Sequence, residues 1–352
     1  MSATIHKADF LIETRGVRRD LDAFVVAARF SRDGRTVAFG LGDGTVHLVS
    51  LANAGGAWRS VAVHDGAVLS LAAGTGADDF VSGGDDGKLR RVSANGETSD
   101  IAGFGMKWVE QVATFGLEKN KGLIAAGVGK VVHLFDETGR KLKEWPHPSS
   151  VTGLVFDAKG KRVAASHYNG ATLWFVAAKT DTPRKLEWKG SHIAIAIHPE
   201  GEAVVTAMQE NALHGWKLPE GNHMRMSGYP TKTTSLSFSK GGKWLASSGA
   251  DAMVLWPFFG GGPMGKAPME LAGGDGVNCT AVAANPREDI VAGGFEDGLV
   301  VVADIATSRI LPIVPPGNGP ISTLAWSADG IRLAIGGEKG LAGIVDFAKR
   351  TA

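Results

Sequence analysis

The chain has 352 residues, of which 44% are hydrophobic and only 7% aromatic; 37 basic and 36 acidic side chains leave a formal charge of +1. That length and apolar content can bury large cores within one body, while near-neutrality gives no global field to draw the chain to nucleic acid or to an anionic membrane. Cys279 is the single cysteine, so an internal disulfide is excluded, and its place at the head of the apolar run CTAVAAN makes it a small core residue rather than a nucleophile.

The first residues, MSATIHKADFLIETRG, mix charged and apolar types from the start and are not read as a signal peptide. No later stretch reaches the roughly eighteen consecutive apolar residues of a membrane-spanning helix. A soluble, cytoplasmic chain is expected. Lys7 to Thr14, KADFLIET, alternates like a strand.

From residue 25 onward one pattern recurs eight times, about every 42 residues. The first strand of each unit begins near Val25, Val68, Val109, Val151, Ile193, Ser235, Thr280 and Ile321, and runs such as AIAI, SLSF and TLAW have period two. A Gly- or Asp-bearing turn follows, for example SRDGR, DAKGK, HPEGE or SADGI. The second strand is short and small: TVAFGLGDG, DFVSGGDDG, LIAAGVGK, RVAASHYNG, AVVTAMQEN, WLASSGADA, DIVAGGFEDG and RLAIGGEKG. With so little polarity it must be covered on both faces, and its small side chains let a neighbouring sheet come close. A second turn leads to a third strand and then to a more polar fourth, such as RKLEW or HMRMSG. Polarity that rises from first strand to fourth predicts a radial four-stranded antiparallel sheet, wet at its outer edge.

In the sixth unit the third strand runs into PFFGGGPMGKAP, residues 257 to 268, a Gly- and Pro-rich loop insertion whose Phe258, Phe259 and Met264 offer an apolar tip. Its Gly-Lys ending lacks the Ser or Thr and the strand-to-helix setting of a phosphate-binding loop. The last unit ends at VDFAKRTA, with no room for a fourth strand; residues 1 to 20 are therefore expected to supply it and close the ring.

By its repeat period, its strand and turn wording, and fragments such as VSGGDDGKLRRVS and WLASSGADAMVLWPF, the chain resembles the WD40 repeat family of β-propellers over nearly its whole length. The resemblance implies one all-β domain spanning 1–352, with eight blades from eight units; seven, with one unit misread, is the alternative. In that family a histidine before the first strand bonds a strand Ser and a turn Asp, which implies a structural network of His64 with Ser82 and Asp86 and a second of His147 with Ser166. Trp174, Trp216 and Trp256 match the family's third-strand tryptophan and imply packing between blades. The family's Gly-His and Trp-Asp pairs are mostly lost here.

Function is sought where residues break the repeat. Loops from a fourth strand to the next first strand, together with turns between second and third strands, share one face, here termed the top. In units four to six they carry Tyr168, Trp188, His192, Met208, Gln209, Glu210, Asn211 and Tyr229, a mixture of aromatic and adaptable polar groups suited to gripping a protein or peptide. The leading expectation is a non-catalytic interaction scaffold, monomeric by itself, with no cofactor. One alternative is a metal-binding accessory protein using His167, His192 and Glu210 as imidazole and carboxylate ligands. The other is an enzyme acting in the central funnel, for which no converging carboxylates or nucleophile elbow are visible.

Overall fold

The computed structural model describes residues 10–117, 120–274 and 276–348. Among these, the chain is almost wholly strand, and the strands form seven antiparallel sheets arranged as a propeller around a central channel: six sheets of four strands and one of six. The first sheet shows the plan: β2 (Val25–Phe30), β3 (Thr36–Leu41), β4 (Thr45–Ser50) and β5 (Arg59–Ala62) pair in sequence order. Burial follows the polarity gradient of the sequence. The second strand β3 is buried throughout, while three residues of the outer β5 are exposed.

The six-stranded sheet holds two of the eight sequence units. Arg162–Phe175 is continuous through a reversal at Asn169 and Gly170, both at positive φ, and Arg184–Ile197 ends the fourth unit and begins the fifth without a break. Its first half pairs back to Gly170–Leu173, and its second half pairs forward to Val204–Met208. Seven sheets, the count that the sequence left as the alternative, thus replace eight separate ones. The reason is local: Ser191 pairs back with Tyr168 and the next residue, His192, pairs forward with Met208, so no loop parts the two registers. Inner strands come one from each four-stranded sheet and two from the six-stranded sheet.

Small second-strand residues are required by the approach of the next unit. A Cβ on Gly83 would stand 2.7 Å from Cγ1 of Val109, and one on Gly336 would stand 2.5 Å from Cγ1 of Val25, both well inside van der Waals contact. Inner strands are also tied to one another by hydroxyls one unit apart. Ser70 accepts the Val112 amide at 3.0 Å, Ser235 accepts the Val282 amide at 3.0 Å, Thr280 donates to the Ile321 carbonyl at 2.6 Å, and Ser322 donates to the Val25 carbonyl. These bonds satisfy strand-edge groups that would otherwise face the channel. The last of them joins the final unit to the first.

Ring closure is made by an N-terminal strand from residues 1–20, as expected, but by a later segment than the one read as a strand. The strand read at Lys7 to Thr14 lies further on: β1 is Gly16–Asp20, and it pairs antiparallel with Leu341–Asp346 as the outer strand of the last sheet. Leu11–Arg15 is instead a single helical turn, α1. Phe10 and Ile12 are buried with Ile313, Leu341 and Val345, so the apolar alternation served a helix that plugs the junction. Lys7 to Asp9 lie outside the described residues.

Candidate functional site

The structural histidine network decides which candidate residues remain free. His64 donates from Nδ1 to Asp86 Oδ1 at 2.9 Å and accepts at Nε2 from the Ser82 hydroxyl at 2.8 Å, as the resemblance implied. Burial outweighs the Asp86 contact and keeps the imidazole pKa below its ordinary value, so the ring is neutral. Desolvation opposes ionisation of Asp86, but the Lys88 amide and His64 more than offset it and hold that carboxyl below its usual range.

The same arrangement recurs with other residues. Trp256 donates from Nε1 to the Tyr229 hydroxyl at 2.7 Å, Tyr229 donates to Ser247 at 2.6 Å, and Ser247 donates to the Val254 carbonyl at 3.1 Å. Tyr229 stands 18 residues before its serine, as His64 does, and 27 before its tryptophan, as His147 does before Trp174. That shared spacing was the available signal that Tyr229 replaces a histidine. It is buried, its pKa pushed up to about 12 by desolvation, and it presents no ring to a partner. Removing only the hydroxyl, in Tyr229→Phe, is expected to cost about 1–3 kcal/mol by orphaning buried groups; equal urea midpoints for variant and wild type would remove the hydroxyl from the network.

His192 is fully buried as well, accepting from Thr206 at 2.7 Å and donating to the Trp188 carbonyl at 2.9 Å. Its expected place on the top face, open to a partner or a metal, is therefore corrected: it braces two strands of one sheet. His167 donates to the Tyr168 carbonyl at 2.9 Å and accepts from Thr172 at 2.8 Å. Glu210 accepts the Ser191 amide at 3.0 Å. With both nitrogens of each imidazole occupied, the trio suggested as metal ligands has no free imidazole lone pair to offer, and no group of three or more such side chains is placed to hold a metal among the described residues. His147 differs from expectation too. Its Nε2 accepts from Trp174 Nε1 at 3.1 Å, while Ser166 pairs with Thr152 at 3.2 Å. Trp174, Trp216 and Trp256 are all buried.

Met208 is buried and Trp188 half-buried, its ring stacked at 4.0 Å on His214 of the fifth unit's third strand. What remains on the top face is Tyr168, 58% exposed, with Gln209 and Glu210 exposed and Asn211 half-buried. The structure brings these together through a run of loop-to-loop bonds. The Tyr168 amide donates to Ser149 (2.9 Å), the Gly190 amide to Asn169 (3.2 Å), and Asn211 Nδ2 to the Pro230 carbonyl (3.1 Å).

The same face carries residues that sequence reading passed over. Met106 is 97% and Trp108 56% exposed, both in the loop between Thr98–Gly103 and the third unit's inner strand. Their loop obeys the repeat in length, and only side-chain exposure sets them apart. Lys107, Lys130 and Lys189 are exposed beside them on units two to five, whereas the opposite side shows exposed Asp22, Asp43, Asp65, Glu296 and Glu338. Lys232 and Lys339 temper the acidic half and Glu210 the basic one.

The insertion at 257–268 folds back on the other face. Phe258 packs edge-on to Phe238 at 5.0 Å, Phe259 edge-on to Trp244 at 5.2 Å, and Lys266 lies over the Phe259 ring at 4.9 Å. It walls a cleft of 230 Å³ with His198 and Met224. Cys279 is buried, its thiol pushed up to about 12 by desolvation, which suits the core role expected of it.

The unit that holds Tyr229, Ser247 and Trp256 also carries a family signature: residues 223–256 match the family described as WD domain, G-beta repeat. The chain is a β-propeller that carries a WD40 repeat at those residues. It is 24% identical over 96% of its length to telomerase protein component 1 of Mus musculus, and 22% identical over 85% of its length to autophagy-related protein 16 of Arabidopsis thaliana. The chain spans 13% of the first of these proteins and 59% of the second. Among solved structures, that of the computationally designed Ika8 protein superposes with a TM-score of 0.74 at 21% identity, over 93% of this chain and 98% of that one. That likeness concerns the fold. Buried hydrogen-bond networks thus account for His64, His192 and Tyr229, and they leave the top face of units two to five as the surface that the repeat does not explain.

Proposed function

We propose that the propeller is a non-catalytic interaction scaffold that grips a protein or peptide partner on its top face. The carrying observation is the set of exposed large side chains, Met106, Trp108 and Tyr168, held on hydrogen-bonded loops of a rigid ring. Rigid aromatic anchors bury large area at little entropic cost. Exposed Lys107, Lys130 and Lys189 around them favour a partner segment with acidic residues. The likeness to WD40 regions of a telomerase component and an autophagy-related protein supports an interaction role without naming a partner.

Affinity capture from the native cell extract, with the partner then titrated against purified chain, tests this reading. Trp108→Ala with Tyr168→Ala is expected to lower affinity by about 2 kcal/mol or more, roughly thirtyfold. Lys130→Glu is expected to slow association, with an effect that fades in high salt. Capture of the same partners at the same affinity by the aromatic double variant would rule out this face.

A further inference from the structure

One charged side chain lines the propeller channel with no counter-charge beside it among the described residues. Arg29, on β2, faces the central channel; its guanidinium donates to its own neighbour, the Ala28 carbonyl, at 2.7 Å, and no carboxylate lies within ion-pair distance among the described residues. Burial pulls its pKa down, and no nearby anion pushes it back. Arg29 is half-buried in the channel wall, and a guanidinium held there with no counter-charge keeps most of its donors free for a ligand.

The space around it is built. A channel cavity of 440 Å³ is lined by Arg29 and by Ser235, Ser237, Thr280, Ser322 and Thr323 with aliphatic neighbours, and no acidic side chain is in the wall. That volume is many times what one water needs. Most of the hydroxyls are spent as donors: Ser235 on the Val282 carbonyl, Thr280 on that of Ile321, Ser322 on that of Val25. Ser237 differs. It accepts the Ala284 amide at 2.9 Å, which leaves its own proton to donate. A shallower cleft of 320 Å³ shares Thr234, Thr280 and Ser322 with the cavity and opens on the top face. Its rim has Glu296 and Glu338 against Lys232, so the rim adds no attraction for an anion and the pull comes from Arg29.

We infer that the central channel is a binding site for a small oxyanion, a carboxylate or an inorganic phosphate, held by the Arg29 guanidinium with the Ser237 hydroxyl that lines the same cavity. A guanidinium fork presents parallel N–H donors that match two oxygens of either group. The site is independent of the top-face reading: a partner bound at Trp108 and Tyr168 need not enter the channel.

Thermal unfolding of the full chain in phosphate, in acetate and in chloride at matched ionic strength tests it, alongside equilibrium dialysis with radiolabelled phosphate or acetate. The midpoint is expected to rise with one or both oxyanions over chloride, because a ligand bound to the folded state alone stabilises it; the anion that acts identifies the source. Arg29→Met is expected to start at or above the wild-type midpoint, since it removes an unpaired charge, and to show no response. Arg29→Lys should keep part of it. The inference fails if wild type responds to neither oxyanion, or if Arg29→Met responds as wild type does. Dialysis on the wild type decides the matter should a variant not fold.

Discussion

A chain begun at Leu21 is expected to lose about 5 kcal/mol or more of stability and to aggregate on warming. Two losses combine. Phe10 and Ile12 leave a core shared with Ile313, Leu341 and Val345, and deletions of that kind cost about 2–5 kcal/mol each. The five paired residues of β1 also go, baring the edge of Leu341–Asp346, whose first five residues are buried in the closed ring. An exposed apolar edge pairs with other chains. Urea unfolding followed by fluorescence measures the first effect and light scattering the second. Phe10→Ala with Ile12→Ala, which leaves β1 in place, should show most of the stability loss without the scattering. A truncated chain with the wild-type midpoint would mean that the ring holds without its clasp.

The second large effect is expected from acid. His64, His133, His147, His167, His192 and His214 are all buried, and desolvation holds each imidazole below its ordinary pKa, His147 down to about 4 and His214 to about 3. His147 adds an Nδ1 with no partner, and His214 meets His223 at 2.9 Å, a neighbour that protonation would turn into a like charge. In the unfolded chain these groups titrate near the usual value of about 6.5. A folded pKa below the unfolded one gives stability that is complete above pH ~6.5 and falls as the pH drops toward the folded values, because the unfolded state then binds more protons. At about 1.4 kcal/mol per unit, His147 and His214 contribute on the order of 3 kcal/mol each over that window. The urea midpoint should hold steady from pH 8 to 7 and decline from 6 to 4, with a shallower decline in His147→Asn. A flat profile through pH 4 would show that these rings are hydrated in the folded protein.

Much of the fold was legible because each unit repeats a physical necessity. Gly83 and Gly336 are small because the next inner strand begins against them, and Ser70, Thr280 and Ser322 begin their strands with hydroxyls because a neighbouring backbone needs a partner. The candidate site was legible in part. Tyr168, Gln209 and Glu210 are on the surface as read, but Met208, His192 and Tyr229 are inside. An aromatic or imidazole in a loop has the same letter whether it caps a buried serine or meets solvent. Only the 18-residue offset to Ser247 distinguished Tyr229, and it is visible once one network has been seen in three dimensions.

The KADFLIET segment shows the same limit. Alternation at Phe10 and Ile12 fits a strand, yet the chain takes a helical turn there and pairs from Gly16, with both side chains buried in the core shared by Ile313, Leu341 and Val345.

The sequence by itself determined the repeat, the antiparallel four-strand plan, the place of the turns and the need for an N-terminal strand, since these follow from local polarity, period and glycine placement. Tertiary structure alone decided that two units share one sheet, that His167 and His192 are braces, that Met106 and Trp108 are bare, and that Arg29 faces the channel without a counter-charge among the described residues. Those properties depend on what arrives from a neighbouring unit about forty residues away, and the residues themselves carry no mark of it.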